Sequence, residues 1–343
     1  MKKTFRNNNV DIFRLLASFF IVFLHTGFNN MNQDLEAVVR ISGRWGVPFF
    51  FLLSGYYFQK SLINDPTRSV VKNCIKILNI LIVADIVYII ALYLLDGTFN
   101  WRHIFPGAYF HLWFLPSLAI GTLAVYVFKK LNISFYITLS LSVLVIILVL
   151  VADSYSNLVH LPFPTRTGYV IPLLSIPYMT IGSCFYNKKW FKSMFTIKLG
   201  ALLVIVGYLM QILEITLINI YTDRPATSHQ YLIGTLFLSV GIFILAFSVN
   251  LKNELLGKWG KDYSLFIYLF HPLIILFFYH INYKVVFKDN IIVLFPVLIF
   301  FVTLMFAILT DKYLPNLFLA LNGSIRQSFN NLKNKRVPDT ELK

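Results

Sequence analysis

The sequence predicts an all-α integral membrane protein, a bundle of about ten transmembrane helices with both termini in the cytoplasm. Three observations carry that expectation. Hydrophobic residues make up 57% of the 343-residue chain and charged residues 13%, where a soluble domain is about one quarter charged; the mean hydropathy is +0.70. The apolar residues gather into ten runs, over residues 10–28, 45–59, 74–95, 109–128, 135–151, 169–186, 197–221, 229–249, 263–279 and 291–310. The basic residues between those runs fall unevenly on alternate loops, the pattern that orients membrane proteins.

The first run, VDIFRLLASFFIVFLHTGF, holds Asp11, Arg14 and His25 in a stretch about long enough to cross a bilayer. The eleven positions from Arg14 to His25 span about 16 Å and very nearly three helical turns. Both side chains therefore leave one helix face, one near each leaflet. Ionisable residues inside a membrane are costly, so the default reading is a functional site. The other reading lets Arg14 snorkel to the headgroups and His25 sit at the far interface. Asp11, three residues before Arg14, can pair with it. The MKKTFRNNN start looks like a signal peptide, but the run after it lacks a small-residue cleavage site, so it reads as a retained first helix. No lipidation motif appears.

The second run is short, and the fourth and ninth carry Pro116 and Pro272; such helices are tolerated where neighbours or a cavity satisfy the freed backbone. With Arg14 set aside as intramembrane, 22 basic residues lie on the side of the N-terminus and seven on the other. Both termini are then cytoplasmic. Residues 1–314 form the membrane domain, and residues 315–343 form a basic tail, flexible or lying along the anionic inner leaflet. Any chemistry belongs to the membrane bundle. The basic residues occupy short loops rather than one surface, which excludes nucleic acid as a partner. Cys74 and Cys184 are too few for a disulfide framework and read as two buried thiols.

That orientation assigns depth. Arg14 lies near the cytoplasmic face and His25 in the outer leaflet. The fourth run opens with His111, Leu112 and Trp113 near the outer face, the seventh carries Glu214 in its outer third, and Arg166 and Arg224 fall in external loops. Two histidines and a carboxylate at one depth suit general-base catalysis with an orienting partner. Each has a plainer use. His111 beside Trp113 can be an interfacial belt residue. Glu214 can be a structural partner of Arg166 or Arg224, and Asp85, mid-span in the third run, has the same ambiguity. His271, about halfway along the ninth run, can hydrogen-bond between helices with no reactive role. No metal site is expected, because no two histidines stand four apart and the cysteines lack ligand spacing.

At this point the residues resemble a known family. Val10-Asp11-Ile12-Phe13-Arg14 followed by His25 resembles the R-x10-H signature of the bacterial membrane acyltransferase family 3. The segments GVPFFFLLSG from Gly46 to Gly55, HLWFLP from His111 to Pro116 and SLFIYLFHP from Ser264 to Pro272 resemble its other motifs, in order and at matching spacing. Within the family the chain looks most like the membrane half of the serine racemases of glycopeptide resistance and like stand-alone surface polysaccharide O-acetyltransferases. It shows neither the racemase domain of the former nor the extracellular hydrolase-like domain of some other members. The resemblance implies acetyl transfer from cytoplasmic acetyl-CoA, with no metal, to a hydroxyl of an envelope saccharide or related acceptor outside. His25 would act as general base or transient acyl carrier. Arg14, Asp11, Gly46, Ser54 and Gly55 would serve the donor, with Arg14 on the CoA phosphates. The two glycines allow close approach of a neighbouring helix or of the pantetheine arm. That arm, on the order of 15–20 Å, matches the about 16 Å from Arg14 to His25. His111, Trp113, Glu214, Arg166 and Arg224 would face the acceptor. A multi-pass transporter or flippase, for a polysaccharide unit or a small amino acid, explains the spans and broken helices as well, but no pair of matching interrupted helices signals an inverted repeat.

Overall fold

A computed structural model of the chain describes residues 7–26, 33–63, 65–97, 107–156, 158, 170–187, 193–222, 230–281 and 294–323. Each of the ten apolar runs contributes a helix. In chain order they are α1 (Asn8–His25), α2 (Gln33–Gly43), α3 (Gly46–Ser61), α4 (Pro66–Asp96), α5 (Phe114–Lys130) and α6 (Phe135–Ala152). Then come α7 (Ser175–Asn187), α8 (Ile197–Tyr221), α9 (Ile233–Ser248), α10 (Glu254–His280), α11 (Phe295–Tyr313) and α12 (Pro315–Leu321). Single 3-10 turns, Phe110–Trp113 and Ile171–Leu174, lead into α5 and α7.

Seven of these helices are long and apolar enough to cross a membrane: α1, α4, α5 with its leading turn, α6, α8, α10 and α11. Two more, over Ile171–Tyr186 and Ile233–Ser248, are apolar but shorter. The expected bundle is thus present, while the count of about ten spans exceeds what helix length and composition give. Leu and Ile side chains stand exposed along α4, α6 and α8, as lipid-facing helices require.

Local chemistry sets the helix ends. Asn7 caps α1 by accepting from the backbone N–H groups of Asn9 and Val10; Asp65, Ser134, Thr196 and Asn253 do the same for α4, α6, α8 and α10. Gly97, at φ 65°, ends α4 in the left-handed conformation that glycine reaches without strain.

Two elements depart from expectation. The amphipathic α2 has too little apolar length to register as a run. α12 occupies the first residues of the expected tail: Phe318 and Leu321 are buried, and the Phe318 ring packs on Tyr263 and Phe266 of α10. The domain edge drawn at residue 314 therefore falls inside packed structure; residues 324–343 lie outside the described residues. Neither Cys74 nor Cys184 is in a disulfide, and both are half-buried rather than buried.

Candidate functional site

The site begins where α1 and α10 pack along one another. At the Asn8 end of α1 the Asn9 side chain accepts from the Leu251 N–H (2.8 Å), and Asn8 donates to the Asn253 carbonyl (3.1 Å). Gly260 of α10 lets the backbones close: a Cβ there would stand 1.7 Å from the Asp11 carbonyl oxygen. With the helices pinned at that end, the last turn of α1 meets the middle of α10. There His25 Nδ1 lies 2.9 Å from His271 Nε2.

A third imidazole joins this pair. His111 Nε2 is 3.0 Å from the Leu269 carbonyl, and the Tyr268 hydroxyl donates back to the His111 carbonyl (2.7 Å). The Leu269 carbonyl also accepts from the Tyr88 hydroxyl of α4 (2.8 Å). Asp85 holds the approach to this turn by accepting from the Ala108 N–H (2.7 Å), which gives that carboxylate the partner the sequence could not name. His271 is fully buried and His111 is 1% exposed, whereas His25 is half-buried. His111 therefore neither lines an outer mouth nor belongs to an interfacial belt. It is a core residue, and its Nδ1 has no hydrogen-bond partner among the described residues.

Towards the Arg14 end of α1 a cavity of about 430 Å³ opens between α1, α3, α4, α5 and α10. Arg14, Asn73 and Lys76 supply its charge and amide groups, Ser54 and Ser61 its α3 hydroxyls, and Ser264 and Tyr268 its α10 wall; much of the rest is apolar, including Phe50, Ile77, Phe114 and Met179. Asp11 lies 3.3 Å from Arg14 Nη1, its side chain 7% exposed against 31% for Arg14. The carboxylate thus steadies a guanidinium that faces the cavity. The buried Ser264 hydroxyl has no hydrogen-bond partner among the described residues. Lys76, a second cation, was legible in the sequence only as one more basic residue in the topology count.

The donor-side glycines do other work. A Cβ on Gly55 would stand 2.1 Å from the Met179 carbonyl oxygen of α7, and one on Gly46 would stand 2.8 Å from Ile21 of α1. Both permit helix contact, and neither is among the cavity-lining residues.

The acceptor-side expectations need correction. Glu214 does not face a mouth: its Oε1 accepts from the Tyr155 hydroxyl (2.5 Å) and the Ile233 N–H (2.8 Å), and its Oε2 accepts from the Gly234 N–H (2.7 Å). It serves the first turn of α9, whose partial positive charge a carboxylate stabilises. Burial, and then the Glu214 carboxylate, push the Tyr155 phenol above its ordinary range. Trp113 packs on Phe51 of α3. Arg166 and Arg224 lie outside the described residues. Arg44 donates to the Gln230 carbonyl (3.2 Å), and burial pulls its guanidinium down to about 10, partly offset by Asp153. Among the described residues no group of three or more His, Cys, Asp or Glu could hold a metal ion.

A half-exposed imidazole backed by a buried one can take a proton, and a cation-lined, largely apolar cavity can hold an elongated anion. Residues 7–310 match the family model Acyl_transf_3, described as an acyltransferase domain. The chain is 25% identical over 311 residues to a protein named amino-acid racemase from Enterococcus faecalis, across 84% of this chain and 44% of the relative. It is 26% identical over 339 residues to a serine/alanine racemase from Enterococcus gallinarum, across 90% of this chain and 47% of that one. The chain thus spans about half the length of these relatives. No solved structure matches it.

Proposed function

The chain belongs to this acyltransferase family, and from that premise we propose that it moves an acetyl group from cytoplasmic acetyl-CoA to a hydroxyl on the outer side of the membrane. The observation that carries the reading is the arrangement along α1. Arg14 stands in a cavity shared with Lys76, and His25, about 16 Å further along the same helix, presents an imidazole backed by His271. The CoA phosphates suit the two cations through charge-assisted hydrogen bonds. The pantetheine arm suits the apolar walls, with the free Ser264 hydroxyl available to one of its amides. Tyr268 lines the cavity and donates its hydroxyl to the His111 carbonyl, so it joins the cavity wall to the group of histidines that includes His25.

In the transfer, His25 takes the proton of the acceptor hydroxyl as its oxygen attacks the thioester carbonyl. The C–S bond breaks, and the proton passes to the leaving thiolate. The acceptor is a hydroxyl compound of the envelope, a saccharide in the first instance. The names of the relatives favour a second reading, in which this half of such proteins handles a small amino acid, as acceptor or as cargo. Purified protein in liposomes, supplied with acetyl-labelled CoA on the cytoplasmic face, decides between them. Release of free CoA with label on a hydroxyl acceptor supports the transferase; serine flux without CoA release supports the carrier.

A further inference from the structure

We propose that His271 is a positioning residue that fixes His25 in its Nδ1–H form and thereby places the reactive lone pair on Nε2. The inference rests on the transferase reading and names how its base is prepared. His271 Nδ1 lies 2.9 Å from the Ile267 carbonyl, one turn back on α10. A carbonyl oxygen can only accept, so this nitrogen carries the proton. The Nε2 of a neutral ring is then an acceptor, and the His25 Nδ1 facing it at 2.9 Å is the donor. That leaves His25 Nε2 as the nitrogen free to take a proton.

Sequence and packing hold this geometry. Pro272 has no N–H, so the Tyr268 carbonyl loses its helical partner in the turn that carries His271. The next carbonyl, Leu269, is clamped by Tyr88 and His111. His271 is fully buried while His25 is half-buried, so substrate meets His25. The chain of donors ends at a backbone carbonyl, which cannot take the proton over. His271 therefore orients the base and supports its protonated form, and the proton returns through His25 Nε2.

The test compares His271→Leu with His271→Gln in the full-length protein in liposomes. Gln can place an amide oxygen near the position of Nε2 and accept from His25; Leu cannot. H271L should lower kcat on the order of 10²-fold or more, with KM for acetyl-CoA within about twofold, while H271Q stays within about tenfold of wild type. Nitrogen-15 NMR of histidine-labelled protein should show His25 with a protonated Nδ1 and a bare Nε2 in wild type and H271Q, and should show loss of that signature in H271L. Equal kcat in H271L and wild type, equal losses in the two variants, or a bare Nδ1 on wild-type His25 would overturn the proposal. If H271L does not insert, the NMR signature and H271Q decide. The underlying reading fails separately, through transfer that survives His25→Ala; transfer lost in H25A but kept in H271L defeats this inference alone.

Discussion

Two groups of buried polar residues stand in this bundle, and they are built differently. Around α8 and α9, Glu214 and Asp153 are engaged by backbone: Glu214 takes the N–H groups of Ile233 and Gly234, and Asp153 takes those of Gln230 and Tyr231. Between α1 and α10, ring meets ring at His25 and His271, other side chains bond backbone carbonyls, and capacity is left over. Among the described residues, His111 Nδ1 and the Ser264 hydroxyl have no hydrogen-bond partner, His25 meets His271 through Nδ1, and Arg14 faces a cavity. An ionisable residue inside a membrane is a functional candidate by default. The contrast sharpens that rule: a carboxylate saturated by backbone donors is scaffold, and an incompletely satisfied group beside a cavity is where a ligand is expected.

The largest effect expected from this contrast is at His25. His25→Ala should lower acetyl transfer on the order of 10²–10⁴-fold, the usual weight of a general base, while thermal unfolding in detergent changes little, because the side chain is half-buried at a helix end. Near-normal turnover in a folded H25A protein would erase the difference between the two regions.

Glu214 should behave in the opposite way. Glu214→Ala strands two backbone N–H groups and the Tyr155 hydroxyl, which costs about 1–3 kcal/mol for each buried donor left without water or another partner. A lower unfolding midpoint, with turnover per folded molecule within about twofold of wild type, is the expected outcome. A stable E214A protein with abolished transfer would move Glu214 from scaffold to site.

Arg14 should show a third pattern. Arg14→Lys keeps the charge but loses the planar fork, so KM for acetyl-CoA should rise about tenfold with kcat nearly unchanged. Lys76→Ala should shift the same constant in the same direction, because both cations face one cavity. A fall in kcat alone in either variant would detach this end of α1 from donor binding.

The sequence carried the helical bundle because an apolar run reads the same whatever it packs against. It also carried the pairing of Asp11 with Arg14, since that is a matter of helical period. It could not carry contacts made across hundreds of residues: His25 with His271, 246 positions away, or Tyr88 with Leu269, 181 positions away. Glu214 misled for a physical reason. A carboxylate that caps the next helix and one that faces a substrate look alike in one dimension, and only its three donors distinguish them. Lys76 was hidden by the reverse effect, as a lysine near the start of an apolar run is ordinary until a cavity opens beside it.

The smallest expected effect tests whether scaffold and site are coupled. Asp85 belongs to the first kind by its bond to the Ala108 N–H, yet the segment it holds leads directly to His111, and through His111 to the backbone of α10 at Leu269. Asp85→Asn keeps an oxygen in place to accept from Ala108, so stability and turnover should both stay close to wild type. Asp85→Ala removes that oxygen, at about 1 kcal/mol or slightly more, and loosens the entry to the 110–113 turn. If that turn supports the histidine pair, D85A should lose a few-fold in kcat without a change in KM for acetyl-CoA, and D85N should not. Equal turnover in all three proteins would mean that the clamp on Leu269 holds His271 without help from α4's carboxylate, and the two regions would then be independent.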